Sequence, residues 1–255
     1  MTAQAATRPL PTARRLARVG FARWRSLITS LTLVALVAVA VDFFIVTSSD
    51  TATFAGEIWF AIIMSVLIWR IAKTTDKQQP NLRQTFYSGS RDFIKQLLVL
   101  LVWILYLIPF AVGGLFVEQV MRYQFGASTP EQVVASVVWF LLASLSLYWL
   151  LRSWLAPLYV ADKSPVAAIK AAWGFSRKRL WWLARSVGLA VLIATVPLIL
   201  AVVLLYVPAL NNDWMVLVIN LLTRFILIAF SLAYLIAVTY EIKRHGPPVQ
   251  PKRKR

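Results

Sequence analysis

Six apolar runs, each close to the length of a bilayer crossing, alternate along the chain with polar connections. They cover Leu27–Thr47, Phe54–Ile71, Leu97–Val117, Gln132–Leu151, Val187–Val207 and Trp214–Tyr240. A spanning helix needs about 20 mainly apolar residues at a rise of about 1.5 Å each. The second run barely reaches that length, and the last has room to tilt. Only helices and closed barrels satisfy their backbone in lipid. These runs lack the alternation of barrel strands, so the pattern predicts helices. The expected fold is all-α: a polytopic bundle of six transmembrane helices over residues 27–240. A basic segment precedes it at 1–26, and a basic, disordered tail follows at 241–255. The polar parts are too short to build a core of their own, so no domain boundary is expected within the bundle.

The polar connections sort by charge. Of 27 basic residues, 25 fall in the N-terminal segment, the second and fourth connections, and the tail. The exceptions are Arg122 and Arg224, the latter inside the sixth run. By the positive-inside rule both termini face the cytoplasm, and the chain belongs in the cell membrane. The opposite side carries Asp50, Glu57, Glu118, Glu131 and Asp213. Tryptophans agree with this orientation. Trp24, Trp69, Trp149, Trp154, Trp181 and Trp182 mark the basic ends, Trp59 and Trp214 the others, as an indole at a headgroup boundary should. The stretch Ala38-Val39-Ala40 resembles a signal-cleavage site. The apolar run continues through Phe43, Phe44, Ile45 and Val46, however, so the first span is expected to be retained.

Composition then narrows the chemistry. The 255 residues are 60% hydrophobic with a mean hydropathy of +0.70, against about 45–50% apolar for an average soluble domain. That excludes an ordinary soluble fold and intrinsic disorder. A net charge of +17 on its own would suit nucleic acid. Sorted onto one side, it instead describes orientation and contact with anionic inner-leaflet lipids. The tail ending Lys252-Arg253-Lys254-Arg255 fits the same contact, or a plain topology determinant. With no cysteine, there is no disulfide, thiolate site or cysteine nucleophile. The single histidine, His245, stands beside a Gly-Pro tail with no setting for a triad or metal site. Nucleotide-binding glycine motifs are missing too. No catalytic residue, cofactor or metal is therefore expected, and the chain is read as a non-enzyme.

The fourth connection holds the most sequence character. Asp162-Lys163-Ser164-Pro165 reads as a helix start, with Ser164 as cap and Pro165 in the first turn. The helix that follows should place Val166, Ile169, Trp173 and Ser176 near one face, flanked by Lys170 and Arg177. It leads into Arg177-Lys178-Arg179-Leu180-Trp181-Trp182. The expectation is an amphipathic helix on the inner leaflet followed by a basic-aromatic anchor. Candidate leaflet or partner contacts are thus Lys170, Trp173, Arg177, Lys178, Arg179, Trp181 and Trp182. A connector covering the bundle's end is the simpler role for the same segment. Phe86 to Phe93 precedes the third run, and Arg18 to Trp24 the first, in a loosely similar way. Three helical hairpins with related lead-in segments would produce that pattern.

The stretch from Pro157 to Trp173, followed by Arg179-Leu180-Trp181, resembles a segment of six-helix bacterial membrane proteins. These are grouped with the membrane domain of glycerophosphoryl diester phosphodiesterases and with related uncharacterised inner-membrane proteins. Ala168, Ile169, Lys170 and Trp173 fit the shared pattern, while Ala172 stands where serine is common. The motif covers about 25 residues, and the six-span layout extends the likeness less specifically. The resemblance implies a fold. It does not imply phosphodiester chemistry, because these residues include no catalytic barrel.

Two ionisable residues lie within the runs: Asp42 in the outer third of the first and Arg224 ten residues into the sixth. A charge in lipid is costly unless paired or wetted. An Asp42–Arg224 ion pair or a shared polar cavity is expected, with Asn220 one turn before the arginine. The pair would be a structural staple, or else part of a substrate or proton site. Pro109 with Gly113-Gly114, and Pro197, interrupt the third and fifth runs. No acidic or amide residue accompanies either break, which favours packing over a transport site. Two functions follow. The first is a non-enzymatic inner-leaflet scaffold, sensor or membrane-homeostasis protein, with a protein partner or a second copy as company. The alternative is a small transporter or permease with a polar site near Asp42, Asn220 and Arg224.

Overall fold

The computed structural model describes residues 10–48, 52–74, 80–123, 130–177, 179–205 and 213–245. Among them all regular structure is helical. The long helices are α1 (Ala13–Ser48), α2 (Ala52–Lys73), α4 (Phe93–Tyr123), α5 (Pro130–Ser153) and α8 (Leu180–Leu205). The last run is built from α9 (Asp213–Ile226), a π-helical stretch (Leu227–Leu232) and α10 (Ala233–His245). Between them lie three short helices: α3 (Leu82–Arg91), α6 (Ala156–Val160) and α7 (Pro165–Ser176). Six segments are long and apolar enough to cross a membrane: Ala13–Phe44, Ala55–Lys73, Phe93–Val120, Gln132–Val160, Leu180–Val203 and Trp214–His245. The protein is a multi-pass helical chain, as the hydrophobic pattern predicts.

The helices run further than the apolar stretches at their charged ends. α1 starts at Ala13, inside the expected 1–26 segment, and carries five arginines in its first half. α10 continues to His245, so residues 241–245 belong to a helix and not to a disordered tail. Helical hydrogen bonding does not stop where hydrophobicity does. Positions 246–255, Lys178 and Asp50 lie outside the described residues.

Within the expected single bundle, the chain separates into two compact units, residues 1–94 with 181–255, and residues 95–180. In the first unit, Leu27, Leu31, Val34, Ala35 and Ala38 form the buried stripe of α1. Their i, i+4, i+7 spacing lines one helix face. Ile63, Val66, Leu67 and Ile71 do the same on α2, and Ala233, Ala237, Val238 and Ile242 on the final helix. Gly20 permits a close approach: a Cβ there would stand 2.9 Å from the Val238 Cα. The π-helical turn is also satisfied. The Ala229 carbonyl accepts from the Trp24 indole at 2.8 Å, and the Ser231 hydroxyl donates to the Ala194 carbonyl at 2.7 Å.

In the second unit α4 runs unbroken through Pro109, and the Phe110 N–H finds the Ser146 Oγ at 3.2 Å. A Cβ on Gly113 would meet Trp139 at 3.0 Å and Leu142 at 3.1 Å. Both features serve helix packing. α6 and α7 pack on one another in this unit, and Leu158, Val160, Ala168 and Ala172 are all buried.

Candidate functional site

The α7 segment is built much as its sequence indicates, with two corrections. Ser164 takes the extended N-cap conformation (φ −66°, ψ 156°) and Pro165 the first helical position. The Ser164 side chain makes no capping hydrogen bond, however; its carbonyl accepts the Ala168 N–H at 2.8 Å. The buried face is also rotated from the expected one. Ala168, Ala172, Phe175 and Ser176 point inward, while Val166 is exposed. Small alanines let α7 lie close on its neighbours, and the bulkier Val166 is turned out. Lys170 and Arg177 are exposed, as expected for an outward charged face.

Trp173 stands at the edge of this face and is matched by an arginine that sequence reasoning did not single out. The Arg152 guanidinium lies 4.5 Å from the Trp173 ring centroid and donates to the Trp173 carbonyl at 3.3 Å. It also donates to the Tyr148 hydroxyl at 2.9 Å. The Ser176 hydroxyl returns a bond to the Arg152 carbonyl at 3.3 Å. Arg152 thus ties the end of α5 to the end of α7. Tyr106 stands beside Trp173, ring centroids 6.5 Å apart, and Trp103 stacks on Trp154 at 5.7 Å. The Arg179 guanidinium covers Phe175 at 5.3 Å.

In the other unit Trp181 is 70% exposed, with the Arg185 guanidinium 5.0 Å from its ring. Trp182 is anchored: its indole N–H donates to the Pro11 carbonyl at 2.8 Å. The seven candidate contacts therefore divide. Lys170, Arg177 and Trp181 face outward, Trp173 and Trp182 hold segments together, Arg179 folds back on the end of α7, and Lys178 lies outside the described residues.

Of the three polar candidates in the runs, two meet. Arg224 and Asp42 form an ion pair between α9 and α1, with side chains 47% and 18% exposed. Asn220 is exposed and bonds to neither among the described residues. Gly56 lies beside the pair, a Cβ there falling 3.9 Å from Asp42 Oδ1.

Two further charge clusters escaped the sequence reading. Arg23 Nε lies 2.6 Å from Glu241 Oε1, and its Nη1 donates to both the Ile71 and Thr74 carbonyls at 3.2 and 3.1 Å. The guanidinium also rests 4.2 Å from the Tyr240 ring centroid. His245, read in the sequence only as lacking a triad or metal setting, ends α10 with Nδ1 3.3 Å from Glu241 Oε2. The i, i+4 spacing of one acid and the only histidine within a basic run was the available signal. The second cluster centres on buried Arg70, which donates to Ser30 Oγ and Thr85 Oγ1, each at 3.2 Å, and to the Pro80 carbonyl. No group of three or more metal-ligating side chains occurs among the described residues.

Compared with known proteins, the chain matches no family, no curated sequence and no solved structure.

Proposed function

We propose that this protein is a non-enzymatic, multi-pass protein of the cytoplasmic membrane, with both termini inside, acting as a scaffold, sensor or homeostasis factor at the inner leaflet. The observation that carries this reading is the sorting of 25 of 27 basic residues to one set of helix ends. The outward direction of Lys170, Arg177 and Trp181 adds to it. An exposed indole with a guanidinium on its ring suits the boundary where aromatic edges meet phosphate. The resemblance around Pro157 to Trp181 supports the same architecture and no phosphodiester chemistry.

A transporter or permease working at Asp42, Asn220 and Arg224 is the second reading, and it draws on charge within the spans. The pairing of Arg224 with Asp42 favours a staple, because it compensates the charge a substrate would otherwise meet. Native mass spectrometry of the protein released from mixed phosphatidylcholine and phosphatidylglycerol micelles tests the first reading. The protein should retain phosphatidylglycerol preferentially, and combined Arg177→Gln, Arg179→Gln and Trp181→Ala should reduce that preference. No preference in the wild type would sink it. Solute flux in proteoliposomes, abolished by Arg224→Ala in a folded protein, would establish the second instead.

A further inference from the structure

We infer that α3 is a second anionic-lipid docking helix, with Arg83, Tyr87 and Arg91 forming one stripe against the phosphate layer of the leaflet at the basic helix ends. It rests on the inner-leaflet reading above, and extends it to an element outside α7.

α3 is held in place from one side only. Asn81 Oδ1 accepts the Gln84 N–H at 2.7 Å and caps the helix. Thr85 and Gly89 are its buried residues. A Cβ on Gly89 would come within 2.6 Å of the Val66 Cα, so the helix backbone lies directly on α2. Ser65 donates to the Gly89 carbonyl at 2.6 Å, and Arg70 to Thr85 as described. These contacts fix the rotation of α3 about its axis.

That rotation points the remaining face away from the bundle. Arg83, Tyr87 and Arg91 recur every four residues, so they share one line about 12 Å long. All three are exposed, Tyr87 at 74%. Neither arginine makes an ion pair or side-chain hydrogen bond among the described residues, and residues 82–91 contain no acid.

The level of the helix follows from its neighbours. The second span ends at Lys73 and the third begins at Phe93, two residues after Arg91. α3 is therefore bracketed by two crossings of the same boundary. At that level a tyrosine ring sits among headgroups, and arginine nitrogens match phosphate oxygens. Charge complementarity selects anionic phospholipid as the occupant.

The test uses the full chain in the mixed micelles above. Arg83→Gln with Arg91→Gln should lower phosphatidylglycerol retention relative to phosphatidylcholine by about fivefold per arginine. Arg83→Lys with Arg91→Lys should keep most of it. Both pairs are exposed, so thermal unfolding should stay at the wild-type midpoint. An unchanged ratio in the Gln pair, while the α7 variant loses its preference, overturns the α3 proposal and leaves the inner-leaflet reading standing. No phosphatidylglycerol preference in the wild type overturns both. Loss of a copurifying acidic protein, with lipid retention unaltered, overturns it in favour of a protein partner. A cysteine at Ser90 that an impermeant maleimide reaches in intact cells also overturns it, because α3 would then face the wrong leaflet.

Discussion

Arg23 and Glu241 show how a single acid can decide where a basic terminus goes. The carboxylate is 2% exposed and the guanidinium 15%, so neither has bulk water to fall back on. Removing one partner of such a pair costs about 3–5 kcal/mol, because the other is left buried and uncompensated. Glu241→Ala should lower the thermal midpoint in detergent by a corresponding amount. Replacing both residues with methionine should cost clearly less. Equal losses in the two variants would show that packing, not charge, matters there. The Asp42–Arg224 pair is more open, and its test is rescue. Asp42→Arg and Arg224→Asp should each lower the midpoint, and the double exchange should recover most of the loss; no recovery would mean that the two act separately. The two pairs differed in legibility for a physical reason. Asp42 and Arg224 interrupt apolar runs, where any charge is conspicuous. Glu241 sits beside Lys243 and Arg244, where its charge looks like part of a solvated end.

At the scale of elements, one arrangement recurs along the chain. Arg70, near the end of α2, bonds to Thr85 of α3; Arg152, near the end of α5, bonds to Trp173 of α7. Arg23, in the first half of α1, is met by Glu241 from α10. In these three places a polar helix end is closed by a side chain that ties it to a short or leading helix. The spans themselves were legible because hydrophobicity alone selects them. The face of α7 was not, because alanines carry little hydrophobic signal yet permit the closest packing. Glycine has the same property in α3. Gly89→Val would drive two methyl groups into Val66. Overpacking of this kind costs about 1–3 kcal/mol. The expected outcome is faster amide exchange across 82–91, with little change in α7. Exchange at the wild-type rate would mean that α3 is not held through Gly89.

For the whole molecule, the charge distribution makes a prediction about direction that composition alone cannot. A uniform +17 would say only that the protein prefers anions. Its concentration at alternate connections says that each crossing reverses the side on which the next segment emerges. On that proposal, six crossings would return the C-terminus to the side of the N-terminus. The absence of cysteine makes this measurable, since any introduced thiol is the only one in the chain. Ser90 and Gly174 are exposed on α3 and α7, and a side chain at Gly174 meets no atom within 4 Å of its Cβ. Glu57 and Glu118 are exposed toward the other ends of their spans. Single cysteines at Ser90 and Gly174 should resist an impermeant maleimide in intact cells and react once the membrane is opened. Cysteines at Glu57 and Glu118 should react in both states. The reverse pattern would invert the orientation, removing the anionic inner leaflet from contact with α3 and α7 together. A mixed pattern, with Ser90 and Gly174 on opposite sides, would instead require an odd number of crossings between them, and so the loss of α4 or α5 as a span.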